Sequence, residues 1–201
     1  MQTESHDIGR KPTAAPALPR RIALVNASSR ADEKISRYLL EDLAEALPVY
    51  ARLAGVASPE LVHAAPGEKI DACDTVLLGH APQDAATAQA IIATQVAPGA
   101  RVYVLAHLRG GAGNETPPHF SQMEACCAAA GARWMGGLVV CEGNLVLSAA
   151  NSPRMGWARR WVSEPLDRLI MAMLAGSPFD EPAARPTLAA RITGAFAQTP
   201  R

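Results

Sequence analysis

The chain has 201 residues, of which 49% are hydrophobic, 19% charged and 4% aromatic, and its 19 basic and 19 acidic side chains cancel. That apolar share suffices for a sizeable core and excludes disorder of the whole chain. A neutral chain poor in aromatics is not a general nucleic-acid binder, which needs a basic field and stacking rings.

No stretch approaches the ~20 apolar residues of a membrane span. Residues 1–20 lack the apolar centre of a signal peptide, so a cytoplasmic protein without membrane association is expected. The four cysteines are Cys73, Cys126, Cys127 and Cys141. Cys126 and Cys127 are adjacent, which suits neither a zinc-binding Cys-x-x-Cys pair nor a disulfide between them. All four are expected to be small, buried or half-buried residues.

Residues 1–20 carry Pro12, Pro16 and Pro19 without periodicity and read as a flexible tail. Arg21–Asn26 is a buried strand by length and flanking residues. Ile35, Leu39, Leu43 and Leu47 then recur every four positions, as on the inner face of a helix, and Pro48 is expected to stop it. Residues 49–56 read as a second strand, and a helical turn is expected around 60–63. Residues 75–79 form a third strand, and a helix over 84–95 starts with Asp84 as its N-cap. Residues 101–106 form a fourth strand. A glycine-rich loop over 108–117 precedes a helix that presents Phe120, Met123, Cys127 and Ala130 and ends at Gly131. Residues 134–140 form a fifth strand. A last helix from about Ser163 turns Leu166, Leu169, Ile170 and Met173 inward. Beyond Gly176, Pro178, Pro182 and Pro186 break the pattern, with a short helix over 187–196 as the exception. The expected organisation is a domain over 21–176, a tail over 1–20 and a C-terminal extension over 177–201.

Five short apolar strands alternating with helices predict a parallel sheet covered on both faces, a three-layer α/β/α sandwich with strand order 2-1-3-4-5. Ligands of such sheets sit outside the carboxyl ends of the strands. That directs attention to the loops after strands one, three, four and five. The first reads Asn26-Ala-Ser-Ser-Arg-Ala-Asp-Glu-Lys-Ile-Ser36 and feeds a helix N-terminus. Ser28, Ser29, Arg30 and Ser36 supply donors suited to a phosphate monoester; an ordinary serine-capped loop is the alternative. Asp32 and Glu33 oppose an anion there. His80 and His107 end strands three and four, at the ligand edge, where they either contact a ligand or stand as loop histidines. Arg154, Trp157, Arg159, Arg160 and Trp161 form a basic, aromatic cluster that suits either the phosphates of a nucleotide or packing at a subunit interface. Gly-x-Gly-x-x-Gly, the P-loop motif, Gly-x-Ser-x-Gly and metal-ligand histidine spacings are all missing.

A strand followed by Ser-Ser-Arg and Ser36 resembles the phosphate loop of flavodoxin-like proteins, and most of all the NAD(P)H-dependent FMN reductase family. The likeness runs to about Gly176, through the glycine-rich loop and Ala130-Gly-Ala-Arg-Trp-Met-Gly-Gly-Leu138. It implies a flavodoxin-like fold with FMN as cofactor and NAD(P)H as hydride donor. Ser28, Ser29, Arg30 and Ser36 would hold the phosphate; His80, Ala81, Pro82, His107, Gly110, Gly111 and Gly113 would face the ring. It also implies a homodimer or higher homo-oligomer and a small-molecule substrate. The family's loop glycine is replaced by Asn26 or Ala27, and the strand-three loop, Gly79-His-Ala-Pro-Gln-Asp84, has neither its aromatic nor its lysine. Two readings follow. One is an FMN oxidoreductase; the other is a flavodoxin-like domain without flavin that acts as a binding or assembly module.

Overall fold

A computed structural model describes residues 18–29, 32–70, 72–109, 118–181, 183–188 and 191. Most of the expected tail over 1–20 and most of the expected helix over 187–196 lie outside the described residues.

Five strands, β1 (Arg21–Asn26), β2 (Glu60–Ala64), β3 (Thr75–His80), β4 (Arg101–His107) and β5 (Arg133–Val140), form one sheet in the order β2-β1-β3-β4-β5. Every pairing is parallel. This is the flavodoxin-like, doubly wound arrangement. Helices α1 (Glu33–Leu53), α2 (Ala85–Gln95), α3 (Pro118–Ala129), α4 (Gly143–Ala149) and α5 (Arg160–Ala175) complete the described elements.

Side chains alternate across the pleat and sort the core into two halves. Leu24, Leu77, Tyr103 and Leu105 meet α1, α4 and α5 on one face. Val25, Val76, Leu78 and Val104 meet α2 and α3 on the other. Tyr103 is fully buried, its hydroxyl donating to the Ser177 carbonyl at 2.8 Å, and burial pushes its phenol up to about 12.

Three local expectations are corrected. Helix α1 runs through Pro48 to Leu53, so 49–56 is not a strand. Pro48 itself is exposed, while Leu47 and Ala51 continue the buried face, and that burial outweighs the proline's missing N–H. The second strand is instead Glu60–Ala64, where the sequence pattern predicts a helical turn. Helix α5 starts at Arg160, before Ser163, because Trp161 and Val162 extend its buried face. Gly131 and Gly176 take left-handed conformations after α3 and α5, as helix-ending glycines do.

The segment after α5 lies along the outer edge of β5. Phe179 pairs with Gly136 and Ala184 with Val140, both parallel. Phe179 N–H donates to the Met135 carbonyl at 2.7 Å, and Ala184 N–H to the Val139 carbonyl at 2.7 Å. Part of the C-terminal extension therefore covers an otherwise open sheet edge.

Candidate functional site

The carboxyl ends of β1, β3 and β4 meet where the strand order reverses, which is where this fold places its ligands. The β1 loop is organised by Asn26, whose side-chain oxygen accepts from Ser28 N–H at 3.0 Å while its amide donates to the Glu33 carbonyl at 3.1 Å. Ser28 Oγ and the buried Ser36 Oγ are 2.6 Å apart. Ser29 donates to Asp84 Oδ2 twice, from its N–H at 3.0 Å and its hydroxyl at 3.3 Å. Ala27 N–H bonds the Gly79 carbonyl, and the N–H groups of Asp32 and Glu33 both bond the Ser29 carbonyl.

The loop thus brings together three of the four residues expected to hold a phosphate; Arg30 lies outside the described residues. The Ser28 and Ser29 N–H groups and the Ser29 hydroxyl are engaged within the chain, and one of the Ser28 and Ser36 hydroxyls donates to the other. The seat beside Ser29 holds a carboxylate, that of Asp84, which stands at the N-cap position of α2 as expected but turns its side chain to Ser29 instead of capping the helix. A short 3-10 turn, Pro82–Asp84, precedes α2 and points Asp84 back at β1. Asp32 is almost fully buried in the same loop, where it accepts from Arg109 Nε at 2.5 Å and from the Gln83 amide. An FMN phosphate at Ser29 would have to displace one carboxylate and lie beside another. The arrangement as it stands does not fit that group.

The edge histidines are not exposed loop residues. His80 and His107 are both fully buried. They project to opposite faces of the sheet, because His80 follows Val76 and Leu78 in alternation and His107 follows Tyr103 and Leu105. His80 Nδ1 lies 2.9 Å from the Ala81 carbonyl, so that nitrogen is the donor, and among the described residues Nε2 has no partner. Among the described residues both ring nitrogens of His107 lack partners. His119, from α3, packs edge-on against His80 with ring centroids 5.0 Å apart. Burial lowers the pKa of all three, and the neighbouring His80 ring helps bring His119 down to about 4. Ala81 is buried and Pro82 opens the 3-10 turn. Gly110, Gly111 and Gly113 lie outside the described residues.

These imidazoles are neutral when folded and ordinary when unfolded, so the unfolded chain binds more protons below the usual histidine pKa. Their contribution is complete above pH ~6.5 and is lost as pH falls towards the folded values. For His119, discounted for partial exposure, this amounts to about 1–2 kcal/mol. The melting temperature should fall between pH 6.5 and 5, above most carboxylate titrations, and fall less steeply in His119→Leu. Equal slopes in the two proteins would contradict the assignment.

The arginines of the basic cluster are paired within the chain. Arg154 pairs with Asp42 and Asp167, and Arg159 pairs with Asp42 and lies over the Tyr38 ring at 5.3 Å. Arg160 pairs with Glu164 at 2.5 Å. Trp161 is buried, whereas Trp157 lies before α5 and is exposed. The four cysteines are free; Cys126 is half-buried and the others are buried. Among the described residues no histidine, cysteine or carboxylate group could hold a metal ion, and no helix is long and apolar enough to cross a membrane.

Sequence reasoning missed Asp84 as a partner of the β1 loop. The available signal was its place just past β3, the neighbour of β1 in the 2-1-3-4-5 order.

No protein-family model and no curated protein matches the chain. Solved structures do. A flavodoxin of Streptococcus pneumoniae TIGR4 is 13% identical, with a TM-score of 0.38, over 59% of this chain and 82% of its own. A short-chain flavodoxin associated with a non-canonical PDU bacterial microcompartment is 10% identical, with a TM-score of 0.39, over 60% of this chain and 82% of its own. The azoreductase AzrA is 13% identical, with a TM-score of 0.40, over 88% of this chain and 100% of its own. These likenesses concern the fold, which the strand order establishes independently: the chain has a flavodoxin-like fold.

Proposed function

We propose that this chain is a flavodoxin-like binding module in which Asp84 takes the seat that an FMN phosphate would need. The observation that carries this reading is the pair of bonds from Ser29 N–H and Oγ to Asp84 Oδ2. The buried Asp32 supports it, since a phosphate dianion beside two carboxylates is repelled. Asp32, Asp84, His80 and His107 are buried at the ligand end of the sheet, so an anion entering there would meet carboxylates rather than free donors. The unit concerned is 21–176, with 1–20 and 177–201 as extensions.

The second reading is an FMN oxidoreductase that accepts hydride from NAD(P)H. It is favoured by the hydroxyls of Ser28, Ser29 and Ser36 at the entry to α1, a position suited to an anion. It requires the Asp84 side chain to rotate away. The arginines of 154–160 do not support a nucleotide-phosphate site, because each is paired with a carboxylate of the chain.

The visible spectrum of the freshly purified full chain separates the two. The binding-module reading expects a colourless protein with no NAD(P)H oxidation when FMN is supplied. A yellow protein that oxidises NAD(P)H would establish the oxidoreductase instead.

A further inference from the structure

A cavity lies far from the β1 loop in the sequence, between α3, the outer part of β5 and the segment that covers it. Its volume is about 420 Å³, within the range of small-molecule sites. Among the described residues the covering segment pairs with β5 at Gly136–Phe179 and Val140–Ala184, and the cavity lies beside these pairings.

Phe120, Trp134 and Phe179 contribute aromatic walls, and Glu124, Asp180 and Glu181 contribute carboxylates. Phe120 and Trp134 meet edge-to-face with centroids 5.6 Å apart, which fixes the half-buried indole. Glu181 is paired with Arg168. Among the described residues, Glu124 and Asp180 form no ion pair, and no lysine, arginine or histidine lines the cavity. Gly136 and Gly137 line the floor, and the covering segment packs directly against Gly136, whose added Cβ would meet the Phe179 carbonyl oxygen.

Aromatic faces attract cations through the ring quadrupole, and carboxylates add direct pairing. An anion would meet the like charges of Glu124 and Asp180 here. A neutral molecule would leave the carboxylates unused. We propose that this cleft is a binding site for a small organic cation, an alkyl or arylalkyl ammonium, seated against Trp134 with its charge between Glu124 and Asp180. This site does not depend on whether the β1 loop takes a flavin.

The test titrates benzylamine into the full chain at pH 7 and low salt, with benzyl alcohol as neutral isostere and benzoate as anion. The indole N–H resonances of Trp134, Trp157 and Trp161 report the location. Benzylamine should bind at least tenfold more tightly than the alcohol and move the Trp134 resonance while Trp157 stays unchanged. Benzoate should not bind. The double variant Glu124→Gln/Asp180→Asn alters two exposed side chains, so it should melt like the parent and bind benzylamine at least fivefold more weakly. Equal binding of amine and alcohol, an unchanged affinity in the double variant, or a shift confined to Trp157 would each overturn the proposal. So would no binding of the amine at tens of millimolar.

Discussion

Asp42→Ala should destabilise the protein by about 3 kcal/mol, the cost of breaking a buried ion pair from one side. Asp42 is buried on α1 and receives both Arg154, from the loop after α4, and Arg159, from the start of α5. Arg154 keeps Asp167 after the substitution. Arg159 is left with the Tyr38 ring and the Ala150 and Ser152 carbonyls at 3.5 Å, too few partners for a guanidinium with little solvent access. The network is not saturated even in the parent, since among the described residues Asp42 Oδ2 and Arg159 Nε are buried without partners. Its net worth is therefore smaller than the cost of breaking it. Asp42→Leu combined with Arg159→Met should recover most of the loss, because an apolar pair of similar volume leaves no charge stranded. Urea unfolding of the three proteins measures both effects. A double variant as unstable as Asp42→Ala would contradict this reading of the network.

Gly136→Ala should cost roughly 3 kcal/mol, through left-handed strain and lost burial of the covering segment. Gly136 has φ +92, and an added Cβ would lie 1.9 Å from the Phe179 carbonyl oxygen, a backbone atom that cannot move without releasing the pairing. Gly99→Ala is the control. It has φ +83 but nothing within 4 Å of the new Cβ, so only the strain of about 1–2 kcal/mol applies. Hydrogen exchange at the Phe179 amide, which donates to Met135, should accelerate in Gly136→Ala alone. Equal losses in the two variants would show that the close approach of the segment to β5 contributes nothing.

The sheet was legible because its buried strands are short apolar runs, and α1 because Ile35, Leu39, Leu43 and Leu47 repeat at helical spacing. Strand β2 was not: Glu60–Ala64 lies at the sheet edge, has no fully buried residue and carries neither a clean alternation nor an apolar run. Pro48 misled because local propensity was outweighed by the burial of Leu47 and Ala51. At the site, the serine donors were found from the loop's composition. Their partner was not, because Asp84 reaches Ser29 from 55 positions away and only the strand order brings them together. His80 and His107 were placed at the right edge, but burial depends on α1, α3 and α4 closing over them, which no short motif encodes.

Whether Asp84 holds the phosphate seat is tested most directly by an FMN titration followed by thermal unfolding, with Asp84→Ala alongside the parent and riboflavin as the phosphate-free control. A ligand at ~100 times its dissociation constant adds about 2.7 kcal/mol, or roughly 5–10 °C for a domain of this size. The parent should show no shift with FMN, while Asp84→Ala, its Ser29 donors released, should gain a shift with FMN that riboflavin does not reproduce. A shift of about 5 °C or more in the parent with FMN, undiminished relative to Asp84→Ala, would contradict that assignment.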